Sequence, residues 1–381
     1  MNRRRALQNF LAFAATSPLW PQQEPRLTND PDDPAWPVNV HEFEAIAKRK
    51  LHPLAYDFIA GGAEGEQTLR ANVEAYQRVF LVPRVMVDVS TVDTSIELLG
   101  FKLEKPIIIA PTGGKNLVIP NAEITVARAA EASHTVVTTG SGADKVMDEA
   151  ANVIWWSNTA GHEKKSDAAS YAKRMEDRGA KAIVVTVDNP YQSTRDRNNR
   201  NRFDYGYMQT GVPNEKVPPR TPALAGMWQP HAANMTWDYV GWLRSAANLP
   251  VILKGILAPE DARLAVEHGA SAIVVSNHGG RQLDGAIATL DALPGVVEAV
   301  AGKIPVLMDG GIRRGADILK ALAFGAKAVL VGRAPLWGLG AFGQAGVERV
   351  LWMLTMELKV AMALAGKPRI DAIDRSLVRR A

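Results

Sequence analysis

The chain of 381 residues contains no cysteine. This absence excludes disulfide bonds, thiolate catalysis, and zinc or iron–sulfur sites with cysteine ligands. Long apolar runs are also missing, and no stretch approaches the ~20 apolar residues of a membrane-spanning helix. The formal charge is only +4, and no nucleic-acid recognition motif is present. We therefore predict neither a membrane span nor a nucleic-acid partner, and we assign no metal ligands.

The N-terminus has the layout of an export signal. The run Arg3-Arg4-Arg5 precedes a short apolar stretch over residues 10–15, which fits a twin-arginine signal; a disordered or helical arm is the alternative. Residues 21–37 are rich in proline, aspartate and glutamine, as linkers are. We predict an arm and linker over residues 1–37 and one domain over 38–381. The predicted location is the periplasm if the signal is used and the cytoplasm otherwise.

After residue 40, helical periodicity alternates with short runs rich in valine and isoleucine. Most runs are apolar at successive positions, as parallel strands buried on both faces are. Eight such runs, after a helical N-terminal segment, favour an α/β fold of the (β/α)8 TIM-barrel type. A doubly wound open sheet is the alternative, but its Gly-x-Gly-x-x-Gly fingerprint is missing. The predicted strands are Ile107–Pro111, Thr135–Gly140, Val153–Ser157, Ala182–Asp188, Val251–Gly255, Ala272–Asn277, Pro305–Gly310 and Ala328–Arg333.

The connection after the fourth strand is unusually long. Between Asp188 and a helix that begins near Thr236, the chain is rich in proline, asparagine and arginine. A connection of this length in a compact domain is usually a lid or a binding loop, and a disordered excursion is the alternative.

Two glycine-rich segments predict a phosphate site. MDGGIRRGAD (308–317) and VGR (331–333) follow strands seven and eight, where barrels of this type usually bind phosphate. Their glycines let backbone N–H groups approach phosphate oxygens. Arg313 and Arg333 add guanidinium groups that can bind phosphate through two hydrogen bonds.

The segment SNHGGRQLDG (276–285) predicts catalysis at the same rim, because it follows the sixth strand. A lone histidine there would be weak support. Arg281 lies three residues after His278, however, so a base and a carboxylate-binding group can face one ligand. Lys254 ends the preceding strand, and Asp188 could orient the His278 ring through its second nitrogen.

These residues resemble the FMN-dependent α-hydroxy acid oxidases and dehydrogenases, a family that includes glycolate oxidase, lactate oxidase and mandelate dehydrogenase. SNHGGRQLD looks like the family's active-site signature. Further motifs follow in family order: YDFIAGGAEGE (56–66), IIIAPTG (107–113), TVDNP (186–190), ILKG (252–255), MDGGIRRGAD and VGR. The resemblance implies FMN as cofactor, oxidation of a 2-hydroxy acid to the 2-oxo acid, and a homotetramer or larger assembly. It leaves the electron acceptor open between oxygen, a quinone and another molecule.

The resemblance also implies roles for individual residues. His278 would be the base that starts the oxidation, supported by Asp188, with electrons passing to flavin N5. Arg195 and Arg281 would hold the substrate carboxylate, and Lys254 would stabilise the anionic reduced flavin. The residues implied to bind FMN are Pro111, Thr112, Gly113, Ser141, Ser157, Thr186, Lys254, Ser276, Asp309, Gly310, Gly311, Arg313, Gly332 and Arg333.

Two departures from the family concern substrate binding. Phe58 stands where the family usually has a tyrosine, and Ser157-Asn158-Thr159 aligns with its Gln-Leu-Tyr. Gly113 replaces an alanine of many members, which leaves more room over the flavin. We place Phe58 and Thr159 in the substrate site and predict that the substrate is neither glycolate nor lactate. The alternatives are an FMN-binding protein that has lost the parent reaction and another FMN barrel enzyme, such as an isomerase.

Overall fold

The eight predicted strands form one closed parallel barrel in a computed structural model, which describes residues 32–139, 149–211, 213 and 230–381. The (β/α)8 prediction is confirmed and the doubly wound alternative is excluded. In chain order the strands are β1 (Val79–Leu81), β2 (Ile96–Leu98), β3 (Phe101–Leu103), β4 (Ile107–Ile109), β5 (Val136–Thr139), β6 (Trp155–Thr159), β7 (Ala182–Thr186), β8 (Val251–Ile256), β9 (Ala272–Val275), β10 (Val306–Met308), β11 (Ala328–Val331) and β12 (Val378–Arg380). Strands β4 to β11 form the barrel, and β11 pairs with β4 to close it.

Helices surround the barrel and precede it. They are α1 (Val40–Lys50), α2 (Pro53–Ala60), α3 (Gln67–Gln77), α4 (Ala122–Ala132), α5 (Lys165–Asp177), α6 (Asp196–Arg200), α7 (Gly206–Thr210), α8 (Asp238–Arg244), α9 (Pro259–Glu267), α10 (Thr289–Val300), α11 (Gly315–Ala323) and α12 (Arg333–Leu364). Helix α12 is interrupted by non-helical backbone at Phe342 and Gly343. The side chain of Asn39 caps α1, whose buried residues Val40, Phe43 and Ile46 form one helical face.

The barrel interior is layered because successive side chains of a strand point to opposite faces. One layer is apolar and takes one residue from each strand: Ile108, Val136, Trp156, Val184, Ile252, Val274, Leu307 and Leu330. The antiparallel hairpin of β2 and β3 adds Ile96, Leu98 and Leu103 to this core. Since β3 runs directly into β4, the hairpin closes the amino-terminal end of the barrel and leaves the carboxyl end for a site.

The long connection after β7 contains two short helices, α6 and α7, within its described part. Residues 212 and 214–229 of this connection lie outside the described residues. So do residues 1–31, which carry the predicted export signal, and Ser141. No helix in the described ranges combines the length and apolar character needed to cross a membrane. Residues 37–381 form one compact unit.

Candidate active site

A polar layer lies directly above the apolar core. Two residues further along each strand, the same inward face carries Ala110, Thr138, Asn158, Thr186, Lys254, Ser276, Asp309 and Gly332. The change from apolar to polar occurs at the carboxyl ends of the strands, where barrel enzymes place their chemistry. The two-residue period of a strand therefore explains why so many predicted site residues meet at one rim.

A cavity of about 320 Å³ opens above this layer, a size typical of small-molecule sites. Fourteen of the predicted site residues line it: Phe58, Pro111, Thr112, Gly113, Arg195, Lys254, His278, Arg281, Asp309, Gly310, Gly311, Arg313, Gly332 and Arg333. Five others lie outside its lining: Ser157, Thr159, Thr186, Asp188 and Ser276. The structure thus brings together residues that are more than 270 positions apart in the chain, from Phe58 to Arg333.

His278 and Asp188 form a hydrogen-bonded pair at the cavity wall. The Nδ1 atom of His278 lies 3.0 Å from Oδ1 of Asp188. Burial disfavours the charge of Asp188, but attraction to Lys254 and His278 holds its pKa below the ordinary value. Burial and repulsion by Lys254 lower the pKa of His278, against the attraction of Asp188. An ionised Asp188 can only accept a hydrogen bond, so the proton sits on Nδ1 and Nε2 is free to act as a base.

The backbone around His278 is held in an uncommon conformation. His278 has a φ of 59°, in the left-handed region, and Gly279 and Gly280 follow with φ values of 65° and 74°. The Ser276 hydroxyl accepts a hydrogen bond from the His278 N–H at 3.1 Å. A Cβ on Gly280 would lie 2.5 Å from the backbone nitrogen of Leu69, so only glycine fits there. Left-handed backbone at a non-glycine residue is typical of sites that require a fixed side-chain direction.

Lys254 and Asp309 form a second charged pair at the floor of the cavity. The Lys254 Nζ lies 3.6 Å from Oδ2 of Asp309, and both side chains are buried. Ser276 Oγ donates to the same Oδ2 at 2.9 Å. Oδ1 of Asp309 is buried and has no hydrogen-bond partner among the described residues. A buried carboxylate oxygen left open in this way is available to a hydroxyl group of a ligand.

The cavity wall carries a large excess of positive charge. Lys254 is joined there by Arg195, Arg281, Arg313 and Arg333, and Asp309 is the one carboxylate among the described lining residues. Burial lowers the pKa of all four arginines, to about 9 for Arg333. Mutual repulsion adds to the effect at Arg281 and Arg333. Buried cations without carboxylate partners favour anionic ligands, such as a phosphate and a carboxylate.

Two of these arginines rest on the carboxyl end of helix α2. Arg281 Nη1 donates to the carbonyl oxygens of Phe58 at 2.6 Å and Gly61 at 2.8 Å. Arg333 donates to the carbonyls of Ile59, Gly61 and Gly279, each at 2.9 Å. The last carbonyls of a helix lack intrahelical partners and carry partial negative charge, so cations are stabilised there. Three of the five N–H groups of Arg333 are engaged, and the others remain for a ligand.

The strand register corrects two predicted positions on β6. Ser157 Oγ lies 2.6 Å from the hydroxyl oxygen of Tyr171 on α5, and Thr159 Oγ1 accepts from Gly161 N at 3.1 Å. Ser157 therefore contacts the following helix, Thr159 contacts the loop after β6, and neither lines the cavity. Asn158 occupies the inward position between them, and Thr186 Oγ1 donates to its Oδ1 at 2.8 Å. An alignment that is shifted by one residue exchanges the two faces of a strand.

Several residues of the site were not predicted from the sequence. Thr138 belongs to the inward polar layer, and its buried Oγ1 has no partner among the described residues. Gln282 donates to the backbone oxygen of Asp188 at 2.9 Å and so holds the residue that orients His278. Tyr205 and Met208 reach the cavity from the long connection after β7. Counting two residues on from each apolar core position would have found Thr138 and Asn158, whereas no local pattern marks Tyr205.

The turn after β10 brings backbone groups close to the cavity. Gly310 and Gly311 have φ values of 99° and 76°. A Cβ on Gly311 would lie 2.0 Å from the backbone oxygen of Asn72 in α3, so this turn can pack against α3 only with glycine. Such a turn, directly before a helix and beside Arg313, is suited to hold a phosphate.

We expect Gly311→Ala to destabilise the protein, because the added Cβ meets backbone and the φ is unfavourable. The free energy of unfolding should fall by about 2–4 kcal/mol. Gly113→Ala is the matched control, since its Cβ would meet only Met208 Cε, at 3.7 Å. Its urea midpoint should match that of the unaltered protein. Equal midpoints for the two variants would show that the turn can rearrange.

The parallel barrel with its histidine–aspartate pair and its anion-binding rim has the form of a barrel enzyme that acts on an anionic ligand. This chain belongs to the FMN-dependent dehydrogenase family, whose sequence model matches residues 47–380. It is an FMN-dependent oxidoreductase that acts on the CH–OH group of 2-hydroxy acids. The predicted family and cofactor are confirmed.

The chain is similar to known 2-hydroxy acid oxidases over most of its length. It is 44% identical over 353 residues to a peroxisomal (S)-2-hydroxy-acid oxidase of Oryza sativa subsp. japonica, covering 90% of this chain and 96% of the relative. It is 42% identical over 360 residues to an L-lactate oxidase of Nostoc sp., with 90% and 98% covered. The crystal structure of a mandelate oxidase superposes with a TM-score of 0.82 at 38% identity, covering 91% of this chain and 98% of that one.

Proposed function

We propose that the chain oxidises a 2-hydroxy acid larger than glycolate or lactate, with His278 as the base. The observation that carries this proposal is the His278–Asp188 pair, which faces one cavity together with Arg195, Arg281 and Lys254. A base, a cation for developing charge and two guanidinium groups for a carboxylate are the parts that this reaction requires.

The residues of the cavity suit FMN, which supplies a ring that accepts two electrons at N5. The open Oδ1 of Asp309 can accept from a ribityl hydroxyl. The backbone at Gly310, Gly311 and Gly332, with Arg313 and Arg333, would hold the phosphate. Residues 111–113 would flank the ring, and Thr186 would bond its edge. The unshared positive charge at this rim supports an anionic cofactor.

His278 would remove one proton from the substrate as the reaction begins. The substrate loses two protons and two electrons in becoming a 2-oxo acid. His278 can take the hydroxyl proton or the α-proton, because its Nε2 is unprotonated while Asp188 holds Nδ1–H. Lys254 would stabilise the negative charge that remains on the cofactor ring.

Arg195 and Arg281 would bind the substrate carboxylate. Arg195 is buried and Arg281 is partly buried, and their Cζ atoms lie 5.8 Å and 5.0 Å from the ring centroid of Phe58. Phe58 stacks on Phe203 at 4.7 Å, so this wall is apolar where the family resemblance implies a tyrosine. Gly113 leaves open space on the opposite side, with only Met208 Cε near the position of a Cβ. An apolar wall and extra room support a substrate with a large apolar side chain.

A flavin-bleaching screen without oxygen tests this specificity. Glycolate, L-lactate, (S)-mandelate and straight-chain 2-hydroxy acids of graded length are mixed with the yellow holoenzyme. The second-order rate constant for bleaching should be at least about tenfold higher for the larger acids, since each buried CH₂ contributes about 0.8 kcal/mol. Equally fast bleaching by glycolate or L-lactate would contradict the size preference. No bleaching by any acid would favour a flavin-binding protein that has lost the reaction.

Assembly and location are further parts of the proposal. A homotetramer or larger assembly is expected from the family resemblance, and light scattering of the holoenzyme measures it. Export through a twin-arginine signal stays a prediction, because residues 1–31 lie outside the described part of the chain. Sequencing the N-terminus of the native protein tests it.

A further inference from the structure

At the end of the cavity where Arg195 and Arg281 are proposed to bind the substrate carboxylate, helix α2 provides no hydroxyl group. Phe58 presents its ring to both Arg195 and Arg281, so it gives these cations an aromatic face. A phenylalanine ring cannot donate a hydrogen bond to a carboxylate that binds between the two guanidinium groups. Any hydroxyl donor at this end of the cavity must come from another element.

Tyr205 brings a phenol to this place from the connection between β7 and α8. Its ring stands edge-on to Phe58, with centroids 6.4 Å apart and planes at 84°. It also stands edge-on to Phe203, at 5.5 Å and 85°. Since Phe203 stacks on Phe58, the three rings form one cluster. Two perpendicular neighbours fix the plane of the Tyr205 ring and therefore limit where its hydroxyl can lie.

Tyr205 is the one tyrosine among the described residues that line the cavity. It shares the lining with Arg195, Arg281 and His278, the residues proposed to contact substrate. The Phe58 ring that Tyr205 contacts is the same ring over which both guanidinium groups lie. The residue is 39% exposed, so a ligand in the cavity can reach it.

We propose that Tyr205 is a substrate-binding residue whose phenol donates a hydrogen bond to the carboxylate of the bound 2-hydroxy acid. It would supply, from the loop, the hydroxyl that Phe58 lacks on α2. This inference rests on the proposed function, in which Arg195 and Arg281 bind that carboxylate. The loop then contributes to substrate recognition directly, together with Arg195 from the same connection.

Tyr207 provides a matched control from the same loop. It is buried, its ring contacts His52 and Phe203, and it does not line the cavity. Replacing either tyrosine by phenylalanine removes one oxygen and keeps the ring. A difference between the two variants therefore reports on the position of the hydroxyl and not on packing of the loop.

The test compares Tyr205→Phe, Tyr207→Phe and the double variant Phe58→Tyr with Tyr205→Phe, all as holoenzymes. One measurement is the dissociation constant of benzoylformate, a 2-oxo acid, from its perturbation of the flavin spectrum. The other is the anaerobic bleaching by (S)-mandelate, resolved into a limiting rate constant and an apparent dissociation constant. Tyr205→Phe should weaken both affinities about tenfold, as expected for one lost hydrogen bond to a charged group. Its limiting rate should change far less, because binding and not proton transfer is altered.

The controls decide between the possible outcomes. Unchanged affinities in Tyr207→Phe and recovered affinity in the double variant support the proposal. Affinities of Tyr205→Phe equal to those of the unaltered enzyme overturn it, and the proposed function then still stands. If benzoylformate binding depends on Tyr205 but no 2-hydroxy acid bleaches the flavin, the proposed reaction fails and the carboxylate contact stands. If the unaltered protein does not bind benzoylformate, both fail.

Discussion

His278→Ala should slow bleaching of the flavin by a 2-hydroxy acid about 10³-fold while the protein keeps its FMN. The loss is of this size because proton transfer by a positioned base contributes about 10²–10⁴-fold. The variant should stay yellow, since the residues proposed to hold the phosphate and the ribityl chain belong to β10, β11 and the turns after them. Rapid mixing without oxygen measures the rate constant, and the flavin absorbance after gel filtration measures retention.

His268→Ala is the control for this variant. His268 lies at the end of α9, just before β9 begins, and its ring stacks on Trp237 at 5.6 Å. It has no part in the His278–Asp188 pair at the carboxyl ends of the strands. Its rate constant should equal that of the unaltered enzyme. A His278→Ala protein that bleaches within about tenfold of the unaltered rate would remove His278 from the role of base.

Lys254→Met should reduce the limiting rate constant about 10²–10³-fold, because a buried cation placed where negative charge develops is lost. The variant should also change the pH dependence. Lys254 repels a protonated His278 and lowers its pKa, so removing the charge raises that pKa. A base works when unprotonated, hence the rate falls as pH drops below the pKa. The acid limb should therefore move to higher pH in Lys254→Met.

Lys105→Met is the matched control for charge removal. Lys105 is partly buried, and it precedes β4 at the amino-terminal end of the barrel. Rate constants measured from acid to neutral pH for both variants separate a local effect from a change in net charge. An acid limb at the same pH in Lys254→Met and in the unaltered enzyme would show that Lys254 does not act on His278.

The strands and the rim could be predicted because parallel strands buried on both faces leave a strong local pattern. Each run of apolar residues ends in polar groups, and those ends meet in any parallel barrel. The pairing of His278 with Asp188 also followed from their places at the ends of β9 and β7. These features depend on chain order and strand periodicity, both of which are local.

Other details of the site depend on strand register and on contacts between residues that are distant in the chain. Ser157 and Thr159 are predicted from motif alignment, whereas the strand register makes Asn158 the inward residue between them. Tyr205 lies in a long connection and packs against Phe58 and Phe203. Because these contacts are not encoded in a local sequence pattern, its place in the cavity could not be predicted from the sequence. The carbonyl contacts of Arg281 likewise join residues 220 or more positions apart.

Arg281 and Arg333 both donate to carbonyls at the end of α2. The active site of this enzyme therefore depends on a segment outside the barrel strands. Their acceptors, the carbonyls of Phe58, Ile59 and Gly61, precede the first barrel strand by more than forty residues. A barrel excised at β4 would keep every strand, yet Arg281 would lose its carbonyl acceptors and Arg333 would keep only that of Gly279. The smallest unit that can be transplanted or redesigned as a catalyst therefore begins before α2, and grafts between relatives should exchange that helix together with the rim it supports.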